Sequence, residues 1–161
     1  FRICSTDDSR TYGYGKSVWA MIDTETRQPQ NILAIRDGEI ERYIEKDKEC
    51  PIEGLSRVKM GKEAKLARTI DTYYCDVDVN GHINSIKYIE HILDLFDIDH
   101  YRKFRIRRFD IAYVAESYCG DKLNFYTEER DDDTVCVRVT KTNAETVDAE
   151  VVRCMLKFEK I

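Results

Sequence analysis

No apolar run in these 161 residues approaches the ~20 needed to cross a bilayer, so no membrane span is expected. No signal peptide is visible, although an N-terminus outside the chain would conceal one. Basic residues do not predominate. The formal charge is −5, which suits a soluble protein and argues against a general nucleic-acid binder, whose footprint is usually basic. There is no Cys-x-x-Cys pair: Cys4, Cys50, Cys75, Cys119, Cys136 and Cys154 are scattered. An even count alone does not make a disulfide framework, and a reducing cytoplasm is the simpler setting. Only three histidines occur, His82, His91 and His100, nine residues apart, a spacing that no metal motif requires. No internal repeat or low-complexity tract is present. The length allows one or two small domains.

The alternation of apolar and polar residues carries most of the fold information. Ile86, Ile89, Ile92, Leu93 and Phe96 recur at steps of three and four, one face of a helix. That helix, of about twelve residues, needs a sheet or another helix to cover its stripe. Asp97, Ile98 and Asp99 then break the pattern. Four period-two runs follow: Phe109 to Ala115, Leu123 to Thr127, Val135 to Val139 and Val152 to Phe158. Residues 129–133 and 142–145 read as hairpin turns. Phe104 and Ile106 are out of step with Phe109, and Val147, Ala149 and Val151 with Val152; each slip predicts a bulge. One helix against successive antiparallel strands is an α+β layer. Cys136 and Cys154 fall in strand patterns and read as small buried hydrophobes, and Phe96, Phe104, Phe109 and Phe125 as core.

The first third is less regular. Residues 12–22 are rich in β-formers, with Gly13 and Gly15 marking a bulge or a close contact. Residues 37–48, with Ile40, Tyr43 and Ile44 at helical spacing, read as a short surface helix in a linker. Cys50 to Gly54 is a break, residues 57–68 are rich in lysine and arginine, and residues 69–77 read as a strand.

Ahead of the helix stands the sequence Asp76-Val-Asp-Val-Asn-Gly-His-Ile-Asn84. Asp78, Asn80 and His82 occupy every second position. A carboxylate, a carboxamide and an imidazole placed there can polarise a carbonyl and activate a water. Gly81 permits a tight turn, and Asn84 can cap the helix. Asp76 reads as a turn or capping residue.

These residues resemble the acyl-acyl carrier protein thioesterase family, the bacterial and plant enzymes built from two hotdog domains. Asp76 to Asn84 matches the family's Asp-x-Asp-x-Asn-x-His-x-Asn, followed by Lys87-Tyr88. Tyr113-Val-Ala-Glu116 matches its tyrosine and glutamate on the next strand. Ser17 to Ile22 with Thr26-Arg27, and Gly38 to Tyr43, resemble a first-domain strand and the interdomain segment. The resemblance implies one complete hotdog (an antiparallel sheet around a central helix) at 67–161, preceded at 1–66 by the end of a first one and a linker. It implies hydrolysis of fatty acyl-carrier thioesters by water, with Asp78, Asn80, His82 and Glu116 as the catalytic set and no metal or organic cofactor. The division of roles among the four stays open. Backbone N–H groups near Asn84 are expected to help stabilise the oxyanion. Trp19, Asn84 and Tyr88 are the substrate-binding positions it implies.

There are two departures from the family pattern. Ser117 stands where some relatives have a cysteine, so a Cys-His nucleophile pair is not supported; Cys119 is not promoted in its place. The chain also opens at Phe1, inside what resembles a later strand of the first domain. If the preceding strand and helix are missing, weak or absent activity, or a homodimer shielding a sheet edge, is expected. The basic run Arg102 to Arg108 reads either as a solvated strand face or as a docking patch for an acidic acyl carrier protein. Lys59, Lys62, Lys65 and Arg68 form a second candidate patch. Alternatives are a hotdog thioesterase acting on coenzyme A esters and a non-catalytic acyl- or carrier-binding module. A hotdog dehydratase is disfavoured, because no His-Phe-Pro run precedes a Pro-Gly turn.

Overall fold

The computed structural model describes residues 1–44, 51–54, 58–61 and 63–161. Residues 45–48 of the expected surface helix, Cys50, Arg57 and Lys62 lie outside the described residues. The chain divides into two compact units, Phe1–Leu55 and Ser56–Ile161.

The first unit contains two short hairpins. Strands β1 (Arg2–Cys4) and β2 (Thr11–Tyr14) pair with a register shift beside Gly13, where the sequence places a bulge or close contact. Strands β3 (Met21–Ile22) and β4 (Pro29–Gln30) form the second hairpin. Its turn is closed by Asp23, whose Oδ1 accepts the N–H groups of Glu25 and Thr26 at 3.0 and 2.7 Å. The helix expected from residue 37 is, as far as Tyr43, a 3-10 segment, Ile32–Tyr43, with no buried residue. Arg36, Asp37 and Gly38 take positive φ there and break the spiral. With no apolar side covered, nothing holds these residues in a longer helix.

The second unit is one sheet and the helices against it. Strands β5 (Lys65–Asp71), β6 (Phe104–Tyr113), β7 (Lys122–Asp131), β8 (Thr134–Thr142) and β9 (Ala149–Lys160) form a five-stranded sheet in the order β5-β7-β8-β9-β6. Every pairing in it is antiparallel. β5 starts at Lys65, so the sheet takes in residues 65 and 66 that the sequence assigned to the linker. β5 also ends before the expected residue 77; a 3-10 turn, Tyr74–Asp76, replaces its last part.

Registry shows why the alternation works. Phe125 lies opposite Val139, and Val139 opposite Val152. Val137 lies opposite Cys154, and Cys154 opposite Ile111; Val135 lies opposite Leu156, and Leu156 opposite Phe109. These rows put the apolar side chains on one face. Helix α1 (Ser85–Leu93) contributes Tyr88 and Ile92 to the same buried cluster. Burial of each large apolar side chain contributes about 1.5–3 kcal/mol. This is an α+β hotdog fold, with α1 as its central helix.

Both phase slips are bulges. The β6–β9 register shifts between Ile106 and Arg108, which leaves Arg107 unpaired and returns Ile106 and Phe109 to the core face. The β8–β9 register skips Val151, and both Val151 and Val152 are fully buried. Val147 lies before β9 and is exposed, so β9 begins at Ala149 rather than at Val147. Similarly β6 ends at Tyr113, and Ala115 is exposed beyond it.

α1 is shorter than expected, because Asp94 already closes it; Leu95 and Phe96 still pack on the core. A second helix, α2 (Ile98–Lys103), stands where the sequence showed only a break. Asp97 caps it, accepting the His100 N–H at 2.7 Å. His91 and His100 lie against aromatic rings, Phe125 for the first and Phe96, Tyr101, Phe104 and Phe158 for the second.

Candidate active site

Two loops meet at the end of the sheet where β6 stops and β7 begins. The first runs from Asp76 to Asn84. Val77 and Ile83 form an isolated antiparallel bridge that pinches its base. Inside it the Asp78 N–H donates to the His82 carbonyl at 2.8 Å, and the Gly81 N–H to the Asp78 carbonyl at 3.1 Å. Gly81 has φ +83°, a left-handed conformation that a β-carbon disfavours. Asp78 Oδ1 accepts the N–H groups of Asn80 and His82, at 2.8 and 3.2 Å. These bonds, the Asn80 N–H foremost, hold the Asp78 carboxyl below its ordinary 3.8. Asp78 therefore acts on the backbone of the loop, orienting both residues from beneath.

Asp76 is a buried capping group, with Oδ2 accepting the Tyr73 N–H at 2.8 Å. Its carbonyl accepts the Asn84 N–H at 2.8 Å. Asn84 caps α1 through Oδ1, which accepts the Ile86 N–H at 3.0 Å. Its carbonyl takes the Lys87 N–H at 2.9 Å. The N–H groups of Asn84, Ile86 and Lys87 are thus engaged inside the protein, which narrows what the helix start can offer an oxyanion.

The second loop runs from Val114 to Asp121. The Val151 carbonyl, exposed by the β9 bulge, accepts the N–H groups of Val114 and Ala115 at 2.8 and 3.3 Å. The bulge thereby turns the chain leaving β6 toward the first loop. The Ser117 carbonyl accepts the Ile83 N–H at 2.8 Å and ties the loops together. Ser117 is fully buried and shares a hydrogen bond with the Tyr88 hydroxyl. Tyr88 is itself only 3% exposed, and burial pushes its phenol up. It supports the loop from inside the core. Asp121, also buried, accepts the Tyr118 N–H at 2.9 Å and the Asn143 amide at 2.8 Å.

The outcome is one close contact between loops: His82 Nε2 and Glu116 Oε2 lie 3.4 Å apart, with side chains 26% and 40% exposed. An imidazole and a carboxylate this close are the groups that general acid–base chemistry uses, and both side chains are partly exposed. Asn80 is exposed on the first loop. Trp19 belongs to the first unit, where its indole is exposed and donates to Ser17 Oγ at 3.0 Å. Two further side chains carry contacts that no sequence pattern revealed. Tyr118 Oη donates to Glu116 Oε2 at 3.2 Å, and Lys141 Nζ donates to the Glu116 carbonyl at 2.8 Å. Tyr118 lies in a loop outside the apolar alternation, whereas Lys141 falls two residues after Val139, in phase with the core-facing side of β8, and a charge at that position was the one available signal.

The acyl-ACP thioesterase C-terminal domain, as a family model, matches residues 59–160. The chain belongs to the acyl-ACP thioesterase family. An acyl-ACP thioesterase structure from Bacteroides thetaiotaomicron is similar at 44% identity and TM-score 0.85, over 98% of this chain and 60% of that one. The palmitoyl-acyl carrier protein thioesterase of Arabidopsis thaliana chloroplasts is 30% identical over 122 residues, 74% of this chain and 29% of that protein. A 12:0-ACP thioesterase from Umbellularia californica shares the fold, at 20% identity and TM-score 0.69 over 87% of this chain and 53% of that one. The chain thus spans less than two thirds of the length of these relatives. Both site loops lie within the matched family domain.

The basic run 102–108 is largely paired. Arg102 meets Asp99 at 2.7 Å, Arg105 and Arg107 share Glu159 at 2.7 and 3.9 Å, and Arg108 meets Asp110 at 2.6 Å. It also starts β6, whereas the site loops leave the other end of that strand. At ~3.3 Å per residue, Arg105 lies about 26 Å and Arg108 about 16 Å from Tyr113, where that strand ends. This favours the solvated-face alternative. A groove of about 510 Å³ at the β7–β8 hairpin, near His100 and Phe158, lies at that far end too and includes none of the site residues.

Proposed function

We propose that this chain hydrolyses fatty acyl-acyl carrier protein thioesters, releasing the fatty acid and the carrier thiol. The observation that carries this reading is the 3.4 Å approach of His82 Nε2 to Glu116 Oε2, made by two loops of an acyl-ACP thioesterase domain. The pair acts as one base. A water oxygen attacks the thioester carbonyl carbon, and its proton passes to the pair. The carbonyl oxygen gains charge and is met by the Asn80 carboxamide. The carbon–sulfur bond then breaks, and the proton goes from the pair to the leaving thiolate. Asp78 keeps Asn80 and His82 presented, and Asn84 sets the start of α1 beside them. Ser117 is enclosed, which supports activated water over a side-chain nucleophile at that position. The fatty acyl-carrying acyl carrier protein is the substrate and partner. Cys75 and Cys119 as exposed free thiols support a reducing, cytoplasmic setting.

The test compares one acyl group on two carriers. Thiol release from the acyl-acyl carrier protein, at a kcat/KM at least tenfold above that from the coenzyme A ester, is expected. Equal rates would assign the chain to coenzyme A esters. Binding of the acyl-carrier without thiol release would refute hydrolysis and leave a binding module.

A further inference from the structure

We propose that Tyr118 and Lys141 are positioning residues that hold Glu116 in its orientation toward His82; the inference deepens the hydrolytic function proposed above and rests on it. Tyr118 donates its hydroxyl to Glu116 Oε2 at 3.2 Å, the same oxygen that lies 3.4 Å from His82 Nε2. Its ring stands edge-on to the His82 ring, with centroids 5.2 Å apart and planes at 74°. One side chain therefore touches both members of the pair. It limits the rotamers of a carboxylate that is 40% exposed and would otherwise turn into solvent.

Lys141 works on the backbone of the same residue. It is on β8, opposite Leu123 of β7 and Ala149 of β9, at the site end of the sheet. Its Nζ donates to the Glu116 carbonyl at 2.8 Å and lies 5.4 Å from the centroid of the Tyr118 ring. The ammonium thus fixes the peptide that carries the glutamate and supports the ring that steers it. Tyr118 is in turn anchored, because its N–H donates to the buried Asp121 at 2.9 Å and its carbonyl accepts the Thr72 hydroxyl at 3.0 Å.

Tyr118→Phe keeps the ring and removes only the donor. Its kcat is expected to fall about 3- to 10-fold with KM unchanged, the range one hydrogen bond supplies. Lys141→Met gives a loss of similar size, and Lys141→Arg restores most of it. A second readout does not depend on turnover: the position of Glu116 in a crystal structure of Tyr118→Phe. Glu116 Oε2 is expected to leave its 3.4 Å approach to His82 Nε2. An unchanged approach together with an unchanged kcat in Tyr118→Phe would overturn the proposal. If instead Glu116 turns away while the wild-type protein hydrolyses no acyl thioester, positioning stands and hydrolysis is refuted.

Discussion

Whether His82 and Glu116 act as one unit can be measured by removing them singly and together. His82→Ala deletes the imidazole, and Glu116→Gln keeps the shape of the carboxylate without its charge. Both side chains are partly exposed, at 26% and 40%, and neither belongs to the buried cluster. The cost in stability should therefore stay within about 0.5 kcal/mol for each, the usual range for substitutions away from a core. Activity should respond far more. General acid–base catalysis supplies about 10²- to 10⁴-fold, so each single variant should lose that much in kcat. In the proposed mechanism the two groups relay one proton, and with either missing the other has nothing to pass it to. The double variant should then fall no more than about threefold below the worse single one, as for residues that work as a unit. Independent groups would multiply instead, giving about 10⁴- to 10⁸-fold. The assay is single-turnover release of carrier thiol under saturating enzyme, with urea melts confirming that every variant is folded. A double variant whose loss equals the product of the two single losses would refute the shared-proton account.

Two further outcomes test the scaffold. Ile92→Ala removes a fully buried side chain from the central helix and should cost about 2–5 kcal/mol in urea unfolding; a loss under 1 kcal/mol would mean that α1 does not seat on the sheet as described. The Asp78 carboxyl is held below its ordinary 3.8, so its contribution to loop order is complete above that value and disappears as pH falls through its lower folded value. The Asn80 amide resonance should accordingly follow Asp78 with a midpoint below 3.8; a midpoint at or above that value contradicts the bonding described.

Period-two and three-to-four spacing revealed the sheet and its helix because burial on one face leaves a repeat in the chain. The two phase slips were legible for the same reason. When Ile106 and Phe109, or Val151 and Val152, must both face the core, an extra residue has to be absorbed between paired strands. The 3-10 segment in the first unit and helix α2 were not legible. Their residues bury little, so local caps and positive φ values decide them, as at Asp97 and at Arg36 to Gly38. At the site, the order Asp78, Asn80, His82 was conspicuous, yet its geometry was not. Spacing alone did not show that Asp78 folds under the loop and bonds the backbone amides of Asn80 and His82.

From the chain alone came the class of fold, the family pattern and the candidate groups, since these depend on residue type and on distances along the sequence. Only tertiary structure could bring Glu116 to His82, thirty-four residues away, because that contact depends on the Val151 carbonyl turning the end of β6 and on Ser117 tying one loop to the other. The same holds for Tyr118 and Lys141: nothing in their spacing says that donors from a loop and from a strand converge on one glutamate. Hydrogen bonds between segments distant in sequence are directional, and their partners are set by where the packed sheet places each backbone.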